Sequence, residues 1–146
     1  MAVLSDLINA VLEYSERYRH PGLPLYRLGP VYDLYPNEVK AATNCELGWP
    51  ETWPNSDQAG VYAFLDGELN VIYVGKSSMN SFLGARLSSY CRYDEFRNCE
   101  LKHSGWTVKP RYVWTAGMPE ELAFEAPALE EYLIRKLQPT DNMAGK

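Results

Sequence analysis

The sequence predicts an α+β fold: a small central antiparallel β-sheet of about three strands flanked by helices, with an N-terminal helical and irregular extension. Three observations carry this. Gly60–Lys76 reads GVYAFLDGELNVIYVGK, two apolar runs around Asp66-Gly67, the pattern of a hairpin. Leu122, Leu129, Leu133 and Leu137 recur at helical spacing near the end of the chain. Between Pro21 and Pro54 no period is sustained, and Pro, Gly, Tyr and Trp are frequent. A chain of 146 residues holds one ordinary core. The expected division is residues 1–59 for the extension and 60–146 for the main body.

Taken in order, residues 5–18 form an amphipathic helix with Ser5 as N-cap and Leu7, Val11, Leu12, Tyr14 and Tyr18 at helical spacings. A short helix is expected over Asn37–Thr43. The hairpin strands are Val61–Leu65 and Asn70–Val74. Ser81–Tyr93 suits a helix, with Phe82, Ala85, Leu87 and Tyr90 available for packing. Trp106–Thr115 alternates apolar and polar residues and predicts a third strand. Pro119–Leu137 predicts a helix that Pro127 bends or restarts and Pro139 stops.

Composition narrows the function classes. No apolar run approaches the ~20 residues of a membrane span, so no membrane partner is expected. The N-terminus MAVLSDLINAVLEYSERY has neither a basic n-region nor a small-residue cleavage site. Cys45, Cys91 and Cys99 form no CxxC pair, which argues against a disulfide scaffold or a zinc site. A cytoplasmic location is the expectation. His20 and His103 are the only histidines and lie far apart in sequence, so chemistry needing a histidine pair is not expected.

The net charge of -5 speaks against a nucleic-acid partner until its distribution is seen. Lys76–Arg111 holds Lys76, Arg86, Arg92, Arg97, Lys102, Lys109 and Arg111 against only Asp94, Glu95 and Glu100. Tyr90, Tyr93, Phe96 and Trp106 are interleaved with them. Such a stretch can track a phosphate backbone, but on composition alone an ordinary solvated face is the favoured reading.

The two glycine–tyrosine triplets, Gly60-Val61-Tyr62 and Tyr73-Val74-Gly75, shift that balance. With Arg86 in ARLSSY, Tyr90 one turn later and LEEYLIRKLQPTDN near the end, the chain resembles the GIY-YIG nuclease superfamily in its GVY…YVG variant. The elements stand in the family's order from Gly60 to Asn142.

The resemblance implies a metal-dependent endonuclease that cuts phosphodiesters, DNA expected ahead of RNA. It implies Tyr62, Tyr73, Arg86 and Glu130 as catalytic residues, with Glu130 holding Mg²⁺ or Mn²⁺. Lys76, Tyr90, Arg92, Arg97 and Asn142 are expected to serve substrate binding. In that reading Tyr62 orients or deprotonates the attacking water, with Lys76 as the cation favouring its phenolate. Arg86 clamps non-bridging oxygens, and Gly60 and Gly75 let the backbone run close to the site.

Taken singly, each residue has an ordinary structural explanation: a strand tyrosine packs, a helix arginine or glutamate is solvated. The other reading of the whole is a domain that keeps the fold and grips nucleic acid, or recruits a partner, without cutting.

There are departures from the pattern. The segment between Lys76 and Arg86 is longer than the family pattern leads one to expect, so its loop, SSMNSFLGA, is expected to contact substrate in its own way. Pro127 lies just before Glu130, so Glu131 is a rival ligand. The first 59 residues match nothing in the family, and Trp49 and Trp53 there are expected contacts for a homodimer.

Overall fold

A computed structural model gives the fold and describes residues 1–36, 38, 52–95 and 99–142. The first helix, α1, runs Leu4–Tyr18. It starts earlier than expected because Val3, not Ser5, is its cap: Val3 N–H donates to Asp6 Oδ2 at 2.9 Å, a first-turn carboxylate reaching back to the helix start. Two short strands follow, β1 (Arg27–Leu28) and β2 (Tyr32–Asp33). The helix expected over Asn37–Thr43 lies, but for Glu38, outside the described residues.

The hairpin forms as expected, with β3 (Ala59–Leu65) and β4 (Val71–Ser77). Asp66 closes it: its Oδ1 accepts the N–H groups of Glu68 and Asn70, the usual use of Asp in a turn. Next come α2 (Leu83–Ser88), β5 (Cys91–Tyr93), β6 (Cys99–Leu101), β7 (Tyr112–Met118), a 3₁₀ turn (Glu120–Leu122) and α3 (Glu125–Leu137). β3, β4 and β7 are the three long strands the sequence predicts. β1 and β2 both pair with β7, β1 near its end and β2 near its start, so the antiparallel sheet has five strands in the order β1-β7-β3-β4 with β2 also on β7.

The pleat sends alternate residues of β3 to opposite faces. Val61, Ala63 and Leu65 join one core with Leu7, Ala10 and Val11 of α1 and Leu129, Leu133 and Leu137 of α3. Tyr62 and Phe64 face a second core with Leu83 and Leu87 of α2, Leu34, Trp53 and Tyr90. Trp53 is thus an internal residue, its indole N–H donating to Ser88 Oγ, and not a free surface for a second copy; Trp49 lies outside the described residues.

Two expected elements come out differently. The helix expected over Ser81–Tyr93 stops at Ser88, because Ser89 Oγ caps the Arg86 carbonyl at 2.6 Å and Lys102 N–H takes the Tyr90 carbonyl, starting the β5–β6 ribbon. The third long strand begins at Tyr112, not Trp106. Pro110 has no N–H for a ladder, Thr107 N–H is turned to the Asp141 carboxylate, and Trp106 packs on Phe64, Tyr73 and Tyr90 instead. The single helix expected over Pro119–Leu137 divides into the 3₁₀ turn and α3, and Pro127 marks the start of the second, one of the two outcomes expected of it. It sits in the first turn, where backbone N–H groups have no intrahelical partner to lose.

The basic stretch is only partly a surface. Arg111 is buried, with Nε and Nη2 on the Asp33 carboxylate at 2.7 and 2.9 Å, and Lys109 pairs with Glu38. No helix among the described residues is long and apolar enough to cross a membrane.

Candidate active site

The paired triplets have a geometric reason. Tyr62 and Gly75 are directly opposite each other across β3 and β4. A side chain at Gly75 would run into Tyr62 Oη, Cζ and Cε2. The bare glycine is what lets the phenol lie across the neighbouring strand, where aromatic rings commonly cover cross-strand positions. Gly60 does something else. Its Cβ would strike the Ala116 carbonyl of β7, so it serves strand packing and not the approach to the site.

Lying over Gly75, the Tyr62 hydroxyl enters a chain of hydrogen bonds. Arg86 Nε donates to Tyr62 Oη at 3.3 Å, Tyr62 donates to Tyr90 at 2.9 Å, and Tyr90 donates to Tyr73 at 3.3 Å. The chain ends at the Tyr73 hydroxyl, which lines a cavity of about 320 Å³. Burial, then the bond to Tyr90, pushes the Tyr62 phenol well above its ordinary pKa, with Arg86 the one opposing influence. Burial likewise raises Tyr73, helped by Tyr90 and the nearby Glu130 carboxylate.

Tyr62, Tyr73, Lys76, Ser77, Ser78, Ser81, Arg86 and Glu130 line this cavity. It opens at β4, the edge strand, which is why both faces of the sheet reach it. Tyr62 and Tyr73 come from the α2 side. Glu130 comes from α3 on the other side, and by the pleat Lys76, paired with Val61, points the same way. Glu130 is half-buried and in the cavity, whereas Glu131, its sequence rival, is exposed. Burial raises the Glu130 carboxyl above its usual range, and Lys76 and then Arg86 pull it back. Lys76 Nζ donates to Ser78 Oγ at 3.1 Å. The cation at the Tyr62 phenol is therefore Arg86, and Lys76 serves the carboxylate.

No group of three or more His, Cys, Asp or Glu placed to hold a metal occurs among the described residues. One half-buried carboxylate beside three serine hydroxyls still fits a hard cation that keeps its waters and shares a substrate phosphate, the usual manner of Mg²⁺.

Most of the chain that builds this cavity matches a single family model, that of the UvrC-like GIY-YIG domain, over residues 58–143. The chain belongs to that family. It matches no curated protein and no solved structure. The GIY-YIG domain therefore spans β3 through the end of α3. α1, β1 and β2 precede it and pack into the same sheet and core.

Not every expected site residue of the domain is at the cavity. Tyr90 is one bond behind it, in the relay. Arg92 is exposed on the β5–β6 ribbon opposite Glu100 and lines nothing there. Arg97 lies outside the described residues. Asn142 is a clamp and not a substrate contact: its Oδ1 accepts Val74 N–H and its Nδ2 donates to Val74 O, both at 2.8 Å. With Asp141 N–H on the Ile72 carbonyl, it seals the open edge of β4 beside Tyr73, where unpaired strand groups would otherwise face outward. Ser77, Ser78 and Ser81 line the cavity from the loop that the sequence marks as a substrate contact, though the sequence does not single out these serines. Their only signal was a serine-rich run placed directly after Tyr73-Val74-Gly75-Lys76.

Proposed function

We propose that the chain is a metal-dependent endonuclease that hydrolyses phosphodiesters in nucleic acid, DNA ahead of RNA. One observation carries this: two phenols, a guanidinium and a carboxylate from four separate elements converge on one polar cavity with room for a phosphate group. A cavity that merely gripped phosphate would gain nothing from Glu130. A carboxylate there repels the phosphate unless a cation stands between them.

In this reading Glu130 holds Mg²⁺ or Mn²⁺. An ion held there would supply Lewis acidity to the phosphate oxygens and the departing 3′-oxygen. Arg86 gives Nε to Tyr62, which leaves its terminal nitrogens for the non-bridging oxygens in a fixed plane. Tyr62 and Tyr73 keep their protons at neutral pH, since burial holds both above the free value. They act by position. Tyr62 aligns Arg86, and Tyr73 offers its hydroxyl to a water or phosphate oxygen. Lys76 steadies the ionised Glu130.

The lining groups suit a phosphate more than a sugar, so the test carries both DNA and RNA. Purified chain is incubated with supercoiled plasmid and with labelled RNA, in Mg²⁺, in Mn²⁺ and in chelator. Cation-dependent cleavage leaving 3′-hydroxyl and 5′-phosphate ends is expected, with nicked circles ahead of linear plasmid because the sequence carries one set of the motif residues that line the cavity. Salt-sensitive binding without cleavage under either cation would favour the non-cutting module.

A further inference from the structure

The turn Ser78–Ser81 stands on the rim of the cavity. Ser78 and Ser81 line the cavity, but the residue at the tip, Met79, lines nothing and is 85% exposed. Both central residues take positive φ, 58° at Met79 and 68° at Asn80, and Ser81 N–H returns to the Ser78 carbonyl at 3.3 Å. This is a reverse turn of the primed kind. Asn tolerates a left-handed backbone, whereas a long side chain such as Met is disfavoured there and glycine is the easy occupant.

Neither packing nor backbone geometry therefore accounts for a methionine at this position. The turn is also held in place. Lys76 Nζ donates to Ser78 Oγ, and Ser77 Oγ donates to Ser81 Oγ at 3.0 Å. Both pins start from residues of β4, the strand that carries Tyr73. Phe82 extends the apolar surface from the same turn and is 40% exposed.

We propose that Met79 is a wedge that opens the base step beside the scissile phosphate. The proposal rests on the cavity being the phosphodiester site. A polar hole that takes a phosphate, with a firmly mounted apolar side chain at its rim, places that side chain against the neighbouring bases. Methionine suits a wedge because it is apolar, adaptable and makes favourable contacts with aromatic faces. Proteins that kink nucleic acid insert Met, Leu, Ile or Phe between base steps in this way. Met79 carries no strong hydrogen-bond donor or acceptor with which to read a base edge. The selection it imposes is accordingly for structure: nucleic acid that opens readily beside the cut is cleaved faster than an intact duplex.

The test uses the full chain and two labelled DNA duplexes of one sequence, fully paired or with a mismatch at the cut mapped with the wild-type protein. A 2-aminopurine beside the cut reports unstacking on binding. Met79→Leu, which keeps an apolar wedge, should behave as wild type. Met79→Ala should lose the fluorescence rise and cut the paired duplex at least about tenfold more slowly, an increment of ~1.4 kcal/mol in the barrier. On the mismatched duplex, already open, its loss should stay within about twofold. Unchanged rates and unchanged fluorescence in Met79→Ala, with wild type cutting normally, would overturn the wedge and leave the nuclease reading standing. Failure of the wild-type protein to bind or cut either duplex would overturn the wedge, and with labelled RNA also uncut it would overturn the nuclease reading as well.

Discussion

Gly75→Ala adds one methyl group to the strand opposite Tyr62, and its effect follows from contacts already present. The new Cβ would stand no more than 2.9 Å from Tyr62 Oη, Cζ and Cε2, where ordinary contact begins at 3.4 Å. The farthest of the three must retreat from 2.9 to 3.4 Å and the other two by more. Tyr62 is only 1% exposed and packed against Phe64, Tyr73 and Tyr90, so the ring can yield only toward the cavity that it lines. Overpacking of this kind costs about 1–3 kcal/mol. It also drags the hydroxyl away from Arg86 and Tyr90, and misplacing a catalytic group by ~1 Å costs roughly a hundredfold in rate. Urea unfolding and single-turnover cleavage by Gly75→Ala read the two losses separately. In a Tyr62→Val background the ring is gone, so the stability cost should largely disappear, a coupling of about 1–3 kcal/mol. A Gly75→Ala protein that cuts at the wild-type rate, or whose cost persists without Tyr62, would refute the reasoning.

Arg86→Ala should slow cleavage at least ~100-fold, and Arg86→Lys should recover little, because one ammonium cannot hold Tyr62 and a phosphate in the plane the guanidinium provides; a lysine variant at near-normal rate contradicts this. Asn142→Ala strips two hydrogen bonds from Val74 and should lower stability by about 2–4 kcal/mol in urea, while KM for substrate, measured below the melting range, stays unchanged; a raised KM with intact stability would return Asn142 to the substrate. Alkaline pH should unfold the protein. Tyr26, Tyr62 and Tyr73 all sit above their ordinary values when folded, so above pH ~10 the unfolded chain releases protons that the folded chain keeps, and stability falls as pH rises. Tyrosinate absorbance should therefore appear together with loss of the fold; gradual ionisation of these phenols in a folded protein would count against their burial.

The elements the sequence made legible are those with a strong period or a strong turn: β3 and β4 around Asp66, and α3 with its leucine stripe. Tyr62, Tyr73, Arg86 and Glu130 could be located because motif order fixes position along the chain. What the order could not convey was direction. Lys76 and Tyr62 are close in sequence logic, yet the pleat turns them to opposite sides of the sheet, so Lys76 meets Glu130 and Arg86 meets Tyr62. Asn142 carries no sign in the sequence that its amide is spent on a strand edge. The ends of α2 and β7 were misjudged because side-chain hydrogen bonds from Ser89 and Asp141, distant or local, overrode periodicity. Arg111 and Lys109 counted as available charge until Asp33 and Glu38, more than seventy positions away, were found to hold them.

On the proposed mechanism, Glu130 makes this cavity a cutting site and not merely a binding one. The most direct measurement is the single-turnover cleavage rate of Glu130→Gln in saturating Mg²⁺, with nucleic-acid affinity determined on the same protein. Glutamine keeps the size and loses the charge that would hold the cation. Cleavage should fall at least ~100-fold, with the fold intact and binding equal to wild type or tighter, since a negative charge facing the phosphate has gone. Cleavage by Glu130→Gln at the wild-type rate would contradict the account, most decisively if Glu131→Gln abolished it.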